Sequence, residues 1–98
     1  MREESRAQLS VMMPAYNEER TIELILEHVL DRPEVGEVIA VDDGSTDATW
    51  EILSRVAERD PRVRIFRQPV NQGKGAALRR AIGELRLPYA LVQDADLE

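Results

Sequence analysis

Short apolar runs alternate along the chain with stretches in which apolar residues recur at helical spacing. The apolar runs have the length of buried strands and cover 9–13, 38–41, 63–66 and 89–92. The stretches between them carry apolar residues three and four positions apart, as amphipathic helices do, and cover 22–30, 50–57 and 78–85. The pattern therefore predicts the element order β-α-β-α-β-α-β.

Alternation of apolar strands with helices predicts an α/β fold, a Rossmann-like three-layer sandwich with a parallel sheet covered on both faces. Residues 1–8 are polar and predict a disordered lead-in, which leaves one domain over 9–98. Ligands of such sheets bind beyond the carboxyl ends of the strands. Short polar segments follow three of the strands, at 14–18, 42–47 and 94–96. We expect them to share one edge of the sheet.

Composition narrows the function classes. The 98 residues carry a formal net charge of -6, which argues against a nucleic-acid partner, since phosphate neutralisation needs a basic surface. The absence of cysteine excludes disulfides and thiolate metal sites and suits a reducing compartment. The polar start lacks the apolar segment of a signal peptide, and no run approaches the ~20 apolar residues of a membrane span. We therefore expect a cytoplasmic protein.

Two pairs of carboxylates follow strands. Asp94 and Asp96 are separated by one small residue and suit Mg²⁺ or Mn²⁺, which prefer oxygen ligands, although a solvated acidic loop has the same composition. Asp42 and Asp43 follow the second strand, where a carboxylate can accept hydrogen bonds from a base or a ribose. Their surroundings are also typical of a turn and a helix cap, and Asp47 fits the cap better than a ligand site.

Two further segments have open interpretations. In 14–18, Tyr16 offers a flat face for a base and Glu18 an acceptor, but the segment also serves as a strand stop and helix start. In 71–75, Lys74 lies between two glycines. Its two open interpretations are a contact with a diphosphate and an ordinary position at the surface. Leu78 breaks the dinucleotide-binding fingerprint, and the residue after Lys74 is not the Ser or Thr of a Walker loop.

Together the four segments resemble the ordered motifs of family 2 glycosyltransferases. The resemblance rests on LSVMMPAYNEE over 9–19, VDDGSTD over 41–47, NQGKGAA over 71–77 and QDADLE over 93–98. The last motif is similar to the variant of the polyprenyl-phosphate sugar transferases, the dolichol-phosphate mannose synthase type. The resemblance covers 9–98, with the motifs in the family's order.

The resemblance implies a truncated GT-A fold and an inverting, metal-dependent transfer from a nucleoside diphosphate sugar such as GDP-mannose or a UDP-sugar. It assigns the nucleotide sugar to Pro14, Ala15, Tyr16, Glu18, Val41, Asp43, Lys74, Asp94, Ala95 and Asp96. It assigns Mg²⁺ or Mn²⁺ to Asp94 and Asp96, a DXD motif. No catalytic base is expected within the chain, because the family places the base and the acceptor site in a following half.

Further expectations follow from the same resemblance. The acceptor is expected to be a polyprenyl phosphate, at the cytoplasmic face of a membrane in a full-length form. These 98 residues are expected to bind nucleotide weakly and to be inactive alone. The sheet edge that the following half would cover is expected to be open and to invite self-association.

Three alternatives stay open on the residues alone. A non-catalytic nucleotide-binding or signalling module, such as a receiver domain, shares acidic strand ends but needs its acidic pair after the first strand. A sugar-phosphate nucleotidyltransferase needs a basic, glycine-rich loop after that strand, where Asn17-Glu18-Glu19 is acidic. The third alternative is a purely structural fragment that has not retained nucleotide binding.

Overall fold

Seven helices and strands alternate in the computed structural model, which describes residues 7–96. The strands are β1 Leu9–Ala15, β2 Val35–Asp43, β3 Val63–Gln68 and β4 Tyr89–Val92. The helices are α1 Ile22–Leu30, α2 Thr49–Arg59 and α3 Lys74–Ile82. All strand pairs are parallel and the sheet order is β3-β2-β1-β4. The predicted element order and the parallel sheet are confirmed.

Two apolar clusters cover the two faces of the sheet. One face packs against α1 and α2 through a cluster that includes Leu26, Leu53, Val38 and Met13. The other face packs against α3 through a smaller cluster around Ile39. Side chains of successive strand residues point to opposite faces, so each buried strand contributes to both clusters. The three-layer arrangement is therefore confirmed.

Strand β1 continues through Pro14, which the sequence predicted to end it. The amide of Gln93 donates to the carbonyl of Met12, so the main-chain groups of Met12 face β4. Those of Pro14, two residues on, face the same side, where β4 has already ended at Val92. No ladder hydrogen bond needs an N–H at that position, so the strand tolerates Pro14.

Strand β2 is longer than predicted and includes Asp42 and Asp43, which the sequence placed after the strand and for which a turn was one of two open interpretations. It lies between β1 and β3 and is almost entirely buried. Its ladder continues to the register pairs Asp42 with Ala15 and Asp43 with Gln68. Asp42 pairs with both β1 and β3 and Asp43 pairs with β3, and this pairing keeps their backbone extended despite their turn propensity.

Helix α3 buries Ala77 and Ala81, whereas the apolar face predicted from the sequence consisted of Leu78, Ala81, Ile82 and Leu85. Ala77 and Ala81 are fully buried against the sheet, whereas Ile82, predicted to face the core, is 56% exposed. Leu78 and Leu85 pack only partly, and Leu85 lies beyond the end of the helix. The short alanine side chains form the buried face of α3, and the bulkier Ile82 lies on its exposed side.

Strand β4 forms an exposed edge of the sheet. It pairs only with β1 among the described residues, and Tyr89 and Leu91 are 65% and 44% exposed. Of the lead-in predicted to be disordered, 1–6 lie outside the described residues, and the Gln8 carbonyl accepts from the Tyr89 amide. No helix within 7–96 is long and apolar enough to span a membrane.

A buried polar network at the amino ends of the strands escaped prediction. Glu37 is only 6% exposed and accepts hydrogen bonds from the hydroxyl of Ser10, the guanidinium of Arg64 and the amide of Arg86. Arg64 also donates to the carbonyl and carboxylate of Glu84. The network anchors the segment between α3 and β4 to β2 and β3 through polar contacts.

Candidate functional site

A cavity of about 320 Å³ lies at the carboxyl edge of the sheet, where the three polar segments meet. Every residue predicted to bind the nucleotide sugar lines this cavity except Val41. The lining also includes Asn71, Gly73 and Ala77, from the loop before α3 and its first turns. The expectation that the polar segments share one edge is therefore correct for all of them.

The loop after β1 is joined to the loop after β2. Asn17 has a left-handed backbone with φ of 53°, a conformation that asparagine tolerates better than most residues. Its side-chain oxygen accepts hydrogen bonds from the backbone amides of Thr46 and Asp47 at 2.8 and 3.3 Å. Its backbone amide donates to the Ser45 hydroxyl at 2.8 Å. This reciprocal pairing holds the neighbours of Asn17 at the rim of the cavity.

A second set of bonds joins the same loops at the start of α2. The amide of Glu18 donates to the hydroxyl of Thr49 at 2.8 Å, and the amide of Ala48 donates to the carboxylate of Glu19 at 3.0 Å. Asp47 accepts from the Thr49 amide and hydroxyl at 2.9 and 2.6 Å, and from the Glu19 amide at 3.3 Å. The interpretation of Asp47 as a helix-start residue outside the ligand site agrees with this placement.

These contacts alter the acidity of Asp47. Burial by itself raises its pKa, but hydrogen bonds from the Thr49 hydroxyl and amide and from the Glu19 amide outweigh burial, so the pKa of Asp47 is lowered. The charged carboxylate is thus the form that joins the two loops.

Asp43 organises the opposite wall of the cavity. Its carboxylate is nearly buried and accepts the amides of Gln72 at 2.9 Å and Gly73 at 2.8 Å, one on each oxygen. Its carbonyl accepts from the side chain of Asn71 at 3.3 Å. Each carboxylate oxygen has a second lone pair, so Asp43 can still accept a bond from a ligand while it holds the loop. Its position in the site was predictable, but its role in shaping the loop was not.

Val41 and Asp42 lie away from the cavity. The side chain of Val41 is fully buried under α3, so it offers no surface to a ligand, contrary to its predicted contact with base or ribose. Asp42 is also fully buried and faces the layer of α1 and α2, where its carboxylate accepts from the Ser45 amide and lies 3.5 Å from Arg67 Nε. Alternation along β2 turns these two residues to opposite faces.

The acidic turn after β4 is held from two sides. The Thr21 hydroxyl donates to the carbonyl of Ala95 at 2.6 Å, and the Ala95 side chain is buried in the core cluster of α1 and α2. On the other side, Lys74 Nζ lies 2.6 Å from Asp94 Oδ1. The turn is therefore attached both to the start of α1 and to the start of α3. No sequence signal identified Thr21, because 74 residues separate it from its partner.

The donor set of this turn suits a hard divalent cation with a ligand that brings further oxygens. No group of three or more His, Cys, Asp or Glu side chains within 7–96 is placed to hold a metal alone. Asp94 and Asp96 both line the cavity, and Mg²⁺ is commonly held by one or two carboxylates with phosphate oxygens and water. The residues fit a cation that is completed by a diphosphate.

Comparison with known proteins gives a family match. The family described as "Glycosyl transferase family 2" matches residues 10–98. This range covers every described element and the whole cavity lining, apart from the first residue of β1. The match favours the glycosyltransferase interpretation over the receiver-domain and nucleotidyltransferase alternatives.

Curated relatives show the same similarity. Dolichyl-phosphate beta-glucosyltransferase ALG5A of Trichomonas vaginalis is 36% identical over 97 residues, covering 90% of this chain and 30% of the relative. The human dolichyl-phosphate beta-glucosyltransferase is 35% identical over 100 residues, covering 91% and 31%. The chain thus spans about a third of the length of these relatives.

Solved structures share the fold. Mannosyltransferase PcManGT from Pyrobaculum calidifontis, in complex with GDP-Man and Mn²⁺, matches with a TM-score of 0.84 and 30% identity, over 93% of this chain and 28% of that one. Glucosyl-3-phosphoglycerate synthase from Mycobacterium tuberculosis, with Mn²⁺, UDP and glucosyl-3-phosphoglycerate, matches at 0.77 and 30%, over 98% and 36%. The expected GT-A fold is confirmed over residues 7–96.

Proposed function

This chain belongs to glycosyl transferase family 2, and we propose that it is the donor-binding part of an enzyme that transfers a sugar from a nucleoside diphosphate sugar to a polyprenyl phosphate. The observation that carries the proposal is the convergence of three strand ends on one cavity whose lining includes Glu18, Asp43 and Asp96. The proposal assigns to the chain only the donor and its cation, since the curated relatives are about three times as long.

Within the cavity we assign the nucleoside to the wall built by β1, β2 and the loop before α3. Tyr16 is 43% exposed and presents a flat ring against which a base can stack. Asp43 keeps lone pairs for a base or ribose donor while it shapes the loop of Asn71 and Gly73. Pro14 and Ala15 form the floor between them, where a planar group packs without desolvating charge.

We assign the diphosphate and its cation to the turn after β4. Asp94 and Asp96 would hold Mg²⁺ or Mn²⁺, and the bound ion would supply charge neutralisation to the departing nucleoside diphosphate. The Thr21 hydroxyl keeps the Ala95 carbonyl, and with it the backbone between the two aspartates, in one orientation. Lys74 adds a positive charge beside Asp94 in the same cavity.

The proposed reaction is one displacement at the anomeric carbon, with inversion. An oxygen of the acceptor phosphate forms the new bond to that carbon, the bond to the nucleoside diphosphate breaks, and its electron pair leaves with the diphosphate. A phosphate acceptor is already anionic, so this step needs no strong base.

Related proteins support the choice of donor and cation. PcManGT is described with GDP-Man and Mn²⁺ and the mycobacterial synthase with UDP and Mn²⁺, each at 30% identity to this chain. The dolichyl-phosphate names of the curated relatives support a polyprenyl phosphate acceptor. Such an acceptor would bring the longer protein to the cytoplasmic face of a membrane.

Calorimetric titration tests the proposal. GDP and UDP, each with and without Mn²⁺, are titrated into the 98-residue chain and into Asp96→Asn, with the exposed Asp31→Asn as matched control. We expect one nucleotide to bind in a Mn²⁺-dependent way, binding to weaken at least about tenfold in Asp96→Asn, and the control to match the unaltered chain. Failure of both nucleotides to bind, or binding indifferent to Asp96→Asn, would contradict the proposal.

We also propose self-association through β4, supported by the exposure of Tyr89, Leu91 and Val92 on an edge strand. Sedimentation over a range of concentrations should show dimers that a Leu91→Lys substitution removes, because a charge on an edge strand opposes pairing. A chain that stays monomeric at every concentration would rule this out.

A further inference from the structure

We propose that Lys74 is a placeholder cation for the proposed metal site: its ammonium neutralises Asp94 in the donor-free protein and transfers to the diphosphate when the metal ion arrives. The proposal rests on the function proposed above and adds to it a mechanism that couples metal binding to nucleotide binding. The observation that motivates it is the 2.6 Å contact between Lys74 Nζ and Asp94 Oδ1, inside the cavity that both residues line.

The backbone beside Lys74 is held by a hydrogen bond, whereas its side chain is more than half exposed to solvent. Lys74 is the first residue of α3, and the preceding Gly73 donates its amide to Asp43 at 2.8 Å. The Lys74 side chain is 56% exposed and that of Asp94 is 47% exposed, so water reaches both partners. An exposed ion pair of this kind is weak, and a divalent ion or a phosphate can compete for either partner.

Charge in the cavity makes the exchange favourable. Glu18, Asp43, Asp94 and Asp96 all line it, and Lys74 is the one basic residue among its described lining. An ammonium and a divalent cation on the same carboxylate would repel each other at close range. A metal ion alone must therefore displace Lys74, whereas a metal ion with a diphosphate supplies new anionic oxygens within reach of the displaced ammonium. Each ligand then favours the other, as linkage requires.

A static phosphate ligand is the competing role for Lys74. A lysine that only binds phosphate and does not pair with Asp94 affects metal affinity without nucleotide only through longer-range repulsion, which salt screens. A placeholder lowers metal affinity in that state, so removing its charge should make Mn²⁺ bind more tightly. The two roles therefore predict different results for Mn²⁺ alone.

The experiment titrates Mn²⁺ into the 98-residue chain without nucleotide, following free Mn²⁺ by electron paramagnetic resonance. Lys74→Met removes the charge and keeps the length of the side chain. Arg79→Met is the matched control, since it removes one charge from the exposed side of the same helix, outside the cavity lining. We expect Lys74→Met to bind Mn²⁺ roughly three- to ten-fold more tightly than the unaltered chain, and Arg79→Met to bind as the unaltered chain does.

A second titration adds GDP or UDP in the presence of Mn²⁺. Lys74→Met should weaken nucleotide binding by roughly tenfold, because the diphosphate loses its ammonium partner, while guanosine or uridine should bind equally to both chains. Since Lys74 is the only lysine of the sequence, isotope-labelled lysine provides a single side-chain ammonium resonance. That resonance should shift with Mg²⁺ alone and move again when the nucleotide is added.

The outcomes separate this proposal from the proposed function. If Asp96→Asn loses Mn²⁺ but Lys74→Met binds it no more tightly than the unaltered chain, the placeholder role is wrong and the metal site stands. If Asp96→Asn binds Mn²⁺ as the unaltered chain does, or no variant binds Mn²⁺ with or without nucleotide, both proposals are overturned. Equal melting temperatures for Lys74→Met and the unaltered chain show that a change in affinity is not a change in folding.

Discussion

The hydroxyl of Thr21 donates a 2.6 Å hydrogen bond to the carbonyl oxygen of Ala95, across 74 positions of the chain. Ala95 stands between the two aspartates of the acidic turn, and its side chain is buried in the core. Thr21 precedes α1 but makes no side-chain bond that caps this helix. Its polar contact therefore serves the turn and attaches the backbone between the two carboxylates to the start of α1.

Replacing Thr21 by valine should loosen the acidic turn. Valine keeps the shape and removes the hydroxyl, so the Ala95 carbonyl loses its partner and stability should fall by about 1 kcal/mol. Mn²⁺ affinity should fall several-fold, because Asp94 and Asp96 lose their common support. Urea unfolding and Mn²⁺ titration measure the two effects. Thr21→Ser is the control that retains the hydroxyl and should stay close to the unaltered chain.

Asp43→Asn should destabilise the protein whether or not a ligand is present. The carboxylate accepts one amide on each oxygen, and an asparagine amide group would face one of those donors with its own hydrogens. We expect a loss of about 1–3 kcal/mol, measured by urea unfolding, together with weaker nucleotide binding because the loop of Gln72 and Gly73 shifts. Asp31→Asn, at an exposed position, should change neither. Unchanged stability in Asp43→Asn would show that the residue does not shape the loop.

Gly44 and Gly75 should respond to alanine in opposite directions. Gly44 has φ of +77°, and an added Cβ would lie 2.5 Å from the Asn71 nitrogen and 2.6 Å from the Val70 carbonyl carbon. Gly44→Ala should cost about 2 kcal/mol or more, because both the backbone and the loop must move. At Gly75, in α3, the nearest atom is the end of the Arg79 side chain at 3.5 Å. Gly75→Ala should raise stability by up to about 1 kcal/mol, and thermal unfolding compares the two.

Stability should depend on the ionisation of Asp47. The pKa of its carboxyl is lower in the folded protein than its ordinary value of 3.8, so the unfolded chain binds the proton more readily. The stabilisation is therefore complete above that ordinary value and is lost as the pH falls through the lower, folded pKa. Asp47→Asn should be less stable at neutral pH, and its deficit should shrink in acid. Urea unfolding from pH 7 to acid, with Asp31→Asn as control, tests this, and a constant deficit would refute it.

Local sequence predicted an element correctly where all of its local signals agreed. The bounds of α1 agree with the predicted 22–30, since its apolar spacing and the following Asp31-Arg32-Pro33 act together. β4 agrees likewise with the predicted 89–92. Prediction was wrong where a neighbouring strand intervened. β1 passes through Pro14, and β2 extends over Asp42 and Asp43, because their ladders override the local preference for a turn.

The sequence by itself determined the element order, the parallel sheet and the edge at which the polar segments meet, because hydrophobic periodicity and the direction of parallel strands follow from local chemistry. Only the tertiary structure decided which polar groups contact one another there. In the folded chain the side chain of Val41 is buried in the core, the carboxylate of Asp43 accepts a hydrogen bond from the amide of Gly73, and Lys74 forms an ion pair with Asp94. These contacts join residues distant in the chain, so they depend on strand register and helix placement, which no local pattern encodes.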